Sequence, residues 1–238
     1  MKDSMQSLMD ELRALPRELQ HERLREIVPS LNLGERFALL HRLGVYHHAE
    51  SLSGAASTLS ETARLRAVLP QWVATHSVET ILDIPCGDFH WMREVAFQGI
   101  YTGADIVPEL VQKNRREHGS DRRRFELLDA TQDPLPKVDL IVCRDLFVHL
   151  GNRDVLAALR NMAASGSRLL VTNHFLDRDA NPDIESGDFR AINLCRQPFG
   201  LPEPEAVILE DSSLAGGLFR DRAMGLWRLV EVARALAG

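Results

Sequence analysis

Residues 81–92 read Ile-Leu-Asp-Ile-Pro-Cys-Gly-Asp-Phe-His-Trp-Met. The stretch changes character halfway. Residues 81–84 form an apolar run around one acid, the pattern of a strand buried on both faces. Pro85 to Asp88 then break that run with a proline and a glycine, the residues that build turns. A buried strand that ends in an acid, a glycine turn and a second acid must be presenting those groups to something.

Working outward, the same alternation of strand and helix repeats to the end of the chain. Residues 89–97 read as a short helix. Residues 99–106 (GIYTGADI) are a second strand, and residues 108–119 a helix with Pro108 near its start and Gly119 at its end. Residues 123–130 (RRFELLDA) are a third strand and 138–145 (VDLIVCRD) a fourth. A helix over 152–166 is expected to be capped by Asn152 and closed by Gly166, and 167–175 is a fifth strand. Residues 205–212 and 223–232 read as two closing strands. Alternation of this kind predicts an α/β fold, a Rossmann-like, mostly parallel sheet with helices on both faces.

The first fifty residues have a different period. Met5, Leu8, Met9, Leu12 and Leu15 recur at helical spacing. Pro16 starts a second helix carrying Leu19, Leu24, Ile27 and Val28, and Pro29 ends it. Phe37, Leu40 and Leu43 mark a third helix closed by Gly44. A small-residue linker covers 52–58, and Thr58 or Ser60 caps a helix that is expected to stop before Pro70. The organisation is thus a helical extension, 1–52, used as a lid or as a homodimer contact, and an α/β domain, 53–238. Residues 175–205 form a long stretch without periodicity, longer than a connector requires and suited to covering a substrate.

Composition narrows the function classes. The chain has 238 residues, a net charge of -6 and a single tight basic run at 122–124, which disfavours general nucleic-acid binding. Three widely spaced cysteines, Cys86, Cys143 and Cys195, suggest neither a zinc site nor a disulfide framework, and free thiols suit a reducing cytoplasm. The polar, acidic start does not have the form of a secretory signal. No apolar run has membrane-spanning length.

Ligands of open α/β sheets sit at the carboxyl ends of the strands. Three strands here end in aspartate: Asp83, Asp105 and Asp129. A lone strand-end aspartate is commonly a turn former, but three in succession suit a nucleoside. Asp105 can accept from both ribose hydroxyls, and Asp129-Ala130 can meet an adenine edge. The dinucleotide fingerprint G-x-G-x-x-G is missing, and Asp88 would repel a pyrophosphate. A carboxylate there suits an ammonium, and the adenosyl ligand with an ammonium and no phosphate is S-adenosyl-L-methionine.

At this point the sequence resembles a family. Residues 79–174 look like a class I S-adenosylmethionine-dependent methyltransferase, through ILDIPCGD, YTGADI, LLDA and VDLIVCRDLFVHL. Adding PCGDFHWM and DIESGDFRAINLCRQPF, residues 53–232 resemble a poorly characterised bacterial subgroup of that family. The resemblance implies a seven-stranded sheet with an antiparallel edge, S-adenosyl-L-homocysteine as product, and a cofactor site built from Asp83, Pro85, Cys86, Gly87, Asp88, Trp91, Asp105, Ile106, Asp129, Ala130, Cys143 and Arg144. The family's first motif has a second glycine two places after the first; this chain has Phe89.

Methyl transfer needs a nucleophile held in line with the methyl group, and a hydroxyl or ammonium acceptor must also lose a proton. His149, in the loop after the fourth strand, is the candidate base, with Asp145 to orient it or the acceptor. His174, Arg190, Asn193 and Phe199 are candidate substrate contacts. The expected activity is methylation of oxygen or nitrogen on a small molecule, without metal. A catalytically silent methyltransferase-like subunit, or a peptide or saccharide acceptor, are the alternatives.

Overall fold

The computed structural model describes residues 2–238, and the side chains of all of these except 2–5, 17, 18 and 21. Seven strands form one sheet in the order β3-β2-β1-β4-β5-β7-β6. They are β1 (Thr80–Asp83), β2 (Ile100–Asp105), β3 (Arg123–Leu127), β4 (Leu140–Cys143), β5 (Leu169–Phe175), β6 (Ala206–Leu209) and β7 (Arg222–Arg228). The first five are parallel, and β7 runs antiparallel to both β5 and β6. The chain builds outward from β1 through β2 to β3, then returns to place β4 on the other side of β1. That reversal opens a crevice at the carboxyl ends of β1 and β4, where α/β sheets bind ligands.

Both faces of the sheet are covered, so the central strands are buried throughout. In β4, Leu140 and Val142 belong to one core and Ile141 and Cys143 to the other, the two-residue period of a strand. Helix α6 (Asn152–Ala164) seals one face with Val155, Leu159 and Met162, and α4 (Ala63–Thr75) seals the other with Leu65 and Leu69. Helix α5 (Pro108–His118) adds Val111 to the second core.

The amino-terminal helices are α1 (Lys2–Ala14), α2 (Arg17–Ile27) and α3 (Leu33–Arg42). Met9 and Leu12 of the expected stripe pack with Leu39 in a small core of their own; Met5 lies outside the described side chains. A capping box starts α3: Asn32 Oδ1 accepts from Glu35 N at 3.0 Å, and Glu35 accepts from Asn32 N. Helix α3 is the bridge to the sheet domain. Arg36 binds Glu185 at 2.6 Å and the Ser186 carbonyl at 2.7 Å, Arg42 pairs with Glu109, and Phe37 packs on the main core.

Five local expectations are corrected. Helix α4 runs through Pro70, because the buried Leu65 and Leu69 hold the helix on the sheet and packing overrides local propensity. Its N-cap is Thr62, without a side-chain cap bond. Residues 89–97 hold a single 3-10 turn, Met92–Glu94. Helix α6 is preceded by Gly151 as N-cap, and Asn152 is already helical. The last strand stops at Arg228, and a seventh helix, α7 (Leu229–Ala237), follows. Leu229 and Val232 lie three residues apart on the face of α7 that meets the main core.

Leu229 is 1% exposed. Leu229→Ala is therefore expected to cost about 2–5 kcal/mol, read from urea unfolding. A change below about 0.5 kcal/mol, the range of exposed surface sites, would show that α7 is not docked on the core.

Candidate active site

The glycine turn follows β1 directly. Gly87 has φ +53°, and a Cβ there would lie 2.0 Å from Ser53 Oγ, so both conformation and space require glycine. Gly87 N donates to Asp105 Oδ2 at 2.9 Å, and its carbonyl accepts from Asn114 Nδ2 at 2.8 Å. Phe89, at the position of the second glycine, adopts φ +59°. The backbone thus keeps a glycine-like shape. The ring turns into the core against Tyr101 and Phe125, at 5.0 and 5.2 Å, and leaves the crevice free.

Two cavities adjoin at Ile106 in this crevice. The smaller, about 130 Å³, is lined by Pro85, Cys86, Gly87, Asp88, Trp91, Asp105, Arg144, Asp145 and His149. The larger, about 680 Å³, runs past Pro108, Leu128 and Asp129. Their roof comes from the amino-terminal extension. Helix α3 supplies Phe37 and His41 to the small lobe and Gly34, Glu35, Ala38 and Arg42 to the large one. Tyr46, Leu52, Ser53 and Ser57 close the small lobe from the segment that follows.

The three strand-end acids do different things. Asp105 faces the small lobe, and its two oxygens accept from Gly87 N and Val107 N, both at 2.9 Å. Burial raises its pKa to about 6, against the backbone bonds that lower it. Asp83 does not line either lobe; it accepts from Tyr101 Oη at 2.6 Å and its Oδ1 has no partner. Burial raises it to about 7. Asp129 reaches the large lobe but is a turn former: Oδ1 accepts from Thr131 N and Oγ1, and Oδ2 from Gln132 Nε2. Ala130 is packed in the main core, its carbonyl accepting from Asn161.

Asp88 is not an open receptor for a cation. Its carboxylate accepts from Ser51 Oγ at 3.0 Å, Leu52 N at 2.7 Å and Ser53 Oγ at 3.1 Å, so it latches residues 51–53 onto the glycine turn. Cys143 is fully buried in the main core and lines neither lobe, because its position in β4 points into that core. Arg144 lines the small lobe, with its guanidinium 5.6 Å from the Trp91 ring centre.

Beyond β4, Asp145 has φ +62° and is fixed by charge. Arg222 from β7 contacts both its oxygens at 2.8 and 2.7 Å, and Arg144 one at 3.1 Å. Burial alone would raise its pKa; Arg222 and then Arg144 outweigh that and hold it at about 2. Both arginines also bind the buried Glu210. Asp145 makes no hydrogen bond to His149. The ring is instead held by the Asp188 backbone carbonyl, 2.9 Å from Nδ1. Burial lowers the pKa of His149 below 6.5, more than the Asp188 bond raises it.

The other substrate candidates lie away from both lobes. His174 is 1% exposed, edge-on to Trp227 at 5.1 Å, and burial pushes its pKa down to about 4. Arg190 is a strut, binding the Leu150 carbonyl and Asn152 Oδ1. Asn193 holds the carbonyls of Leu176 and Arg178. Phe199 is in the main core. The 175–205 segment is thus largely an ordered flap, tied down by the polar residues that had suggested substrate contacts. Among the described residues, no group of three or more His, Cys, Asp or Glu is arranged to hold a metal.

Sheet order, crevice and glycine turn define a nucleoside-binding α/β domain of methyltransferase type. Residues 81–165 match the family model described as a methyltransferase domain. No curated protein sequence matches. Human N-acetylserotonin methyltransferase is similar in structure at a TM-score of 0.54 and 13% identity, over 84% of this chain and 60% of that one. Mitomycin 7-O-methyltransferase MmcR gives 0.54 and 17%, over 86% and 60%. The N-methyltransferase NodS from Bradyrhizobium japonicum gives 0.50 and 17%, over 73% and 98%. The chain therefore spans 60% of the length of the first two. At these identities the likeness is one of fold. The family match covers residues 81–165, and the sheet as a whole has the fold of class I S-adenosylmethionine-dependent methyltransferases.

The buried acids make a pH prediction. Asp83 is raised from an ordinary 3.8 to about 7. A carboxyl raised on folding contributes its full stability below about pH 4, and that contribution is lost as pH rises to about 7. Unfolding free energy is expected to fall across this window, with Asp83 accounting for on the order of 2–4 kcal/mol. Asp83→Asn keeps an acceptor for Tyr101 and should flatten the profile and be the more stable protein at pH 8. Parallel profiles for the two would reject the assignment.

Proposed function

We propose that the chain transfers a methyl group from S-adenosyl-L-methionine to an oxygen or nitrogen of a small-molecule acceptor, with His149 as general base. The observation that carries this reading is the state of His149. A carbonyl only accepts, so Nδ1 must donate to Asp188. The neutral ring then keeps its Nε2 lone pair, and His149 lines the same lobe as Gly87 and Asp105.

The residues fit the cofactor. The ribose falls to Asp105, whose oxygens retain lone pairs after accepting one amide each. Gly87, Pro85 and Trp91 bound the methionine end. Asp88 is the group that would receive the ammonium, exchanging serine hydroxyls for it. The adenine falls to the larger lobe beside Ile106 and Leu128. The cofactor supplies a methyl on a sulfonium, whose leaving group departs neutral, so the transfer calls for neither an oxyanion hole nor a metal. The protein holds the acceptor in line, excludes water beneath α3 and takes the acceptor's proton on Nε2. Residues 1–52 act in this reading as a lid, because α3 lines both lobes. Acceptors of this kind, and free thiols, suit the cytoplasm.

Asp105→Ala is expected to weaken binding of S-adenosylmethionine and S-adenosylhomocysteine about 10–100-fold by calorimetry, from the loss of about 1.5–3 kcal/mol of charged hydrogen bonding. Unchanged affinity in a folded variant would remove the ribose role, and no binding by the wild type would remove the cofactor.

With acceptors screened by S-adenosylhomocysteine release, His149→Ala should lower kcat by about 10²–10⁴-fold, and His149→Gln should not rescue it. The wild-type rate should rise with pH through a His149 titration below 6.5 and be level by pH 7, since only the neutral ring is a base. Near-normal turnover in His149→Ala would leave positioning alone as the account.

A further inference from the structure

We propose that Tyr46 is a positioning residue for His149, fixing the ring's tautomer from the amino-terminal segment. This rests on the reading of His149 as the base. The Tyr46 and His149 ring centres are 4.8 Å apart at 51°. Tyr46 Oη donates to the Gly187 carbonyl at 2.7 Å. Gly187 N in turn donates to the His149 carbonyl at 2.8 Å, and Arg190 N to the Val148 carbonyl at 2.9 Å. The peptide that presents the Asp188 carbonyl to His149 Nδ1 is therefore held on both sides. Phe189, its ring centre 5.7 Å from that of His149, packs on the same imidazole.

The phenol acts at one remove. It does not touch the imidazole nitrogens. It holds Gly187, and the residue next to Gly187 supplies the acceptor that selects the Nδ1–H tautomer. Arg36 secures the preceding residues through Glu185 and the Ser186 carbonyl. Gly187, with φ +110° and the site of its absent Cβ 3.0 Å from Leu40 Cδ1, lets α3 sit directly on this peptide. The charges that face His149 are Asp145 and Arg222, and neither binds a ring nitrogen. Among the described residues, only the backbone contact selects the tautomer.

The test is long-range ¹H–¹⁵N NMR of the full-length protein at pH 7.5, with His149 assigned by its disappearance in His149→Gln. The wild type should show His149 almost entirely as the Nδ1–H tautomer. Tyr46→Phe keeps the ring stack and removes the phenol; the tautomer ratio should fall about fivefold, the effect of one ordinary hydrogen bond. Its kcat should fall more than its KM rises. A wild-type spectrum with Nε2–H dominant, or a Tyr46→Phe ratio equal to wild type, would overturn the proposal. A wild-type spectrum with Nε2–H dominant overturns it even if the variant fails to fold. Failure of the base reading is a separate outcome: the tautomer would shift as expected while His149→Gln retained turnover.

Discussion

The bond from Gly87 N to Asp105 Oδ2 ties the end of β2 to the turn that follows β1. It needs an acceptor that is almost entirely dry, since Asp105 is 4% exposed. Desolvation resists ionisation there, and the amides of Gly87 and Val107 oppose that resistance without cancelling it. Acid, turn and start of α5 are therefore one unit. The crevice at the strand reversal is held open by a carboxylate that the fold would find easier to bury protonated. Burying an acid at a stability cost is reasonable only where the acid faces something that rewards it.

On the other side of the crevice, charge is handled by pairing. Arg144, Arg222, Asp145 and Glu210 bring two cations and two anions together from β7 and the segments after β4 and β6. Such a cluster adds little net stability against an apolar equivalent, but losing one member leaves its partners desolvated and unpaired. Its geometrical effect is clear. It holds Asp145 in a left-handed conformation, and Asn173 bonds Asp145 reciprocally at backbone and side chain. The chain thus leaves β4 at a fixed angle and delivers His149 to the lobe.

What could be read from the sequence followed the range of the physics involved. The five parallel strands, with α5 and α6, were legible from the alternation of strand and helix periods, and β1, β4 and β5 from their buried apolar runs. Gly87 and Asp105 were legible because turn and strand end are local. Asp83 and Cys143 lie off both lobes, and Asp129 reaches one while bonded to Thr131 and Gln132, because strand position does not say which face a side chain takes or whether neighbours satisfy it. Arg190 and Asn193 looked like ligand contacts because polar residues in a proline-rich loop have two uses, and here they hold backbone carbonyls. Arg222 and Tyr46 carried no signal. Each acts across more than seventy residues of sequence, on Asp145 and on Gly187 respectively. Helix α7 was legible in principle: Leu229 and Val232 have helical spacing, but the strand pattern of β7 ran straight into it.

The roof and the base are mechanically linked. Helix α3 covers both lobes, and the small one, at about 130 Å³, lies beneath a segment latched on Asp88. Widening that lobe moves α3 or residues 44–58. Arg36 lies in α3 and Tyr46 in the segment behind it, and both end on residues 185–187. Those residues immediately precede the carbonyl that holds His149. A displacement of the roof must carry the 185–188 peptide with it or break the Tyr46 bond. Either way the orientation of the imidazole depends on whether the crevice is closed. In the proposed reading of the helical segment as a lid, its closure and the alignment of His149 are coupled through Arg36, Tyr46 and Gly187.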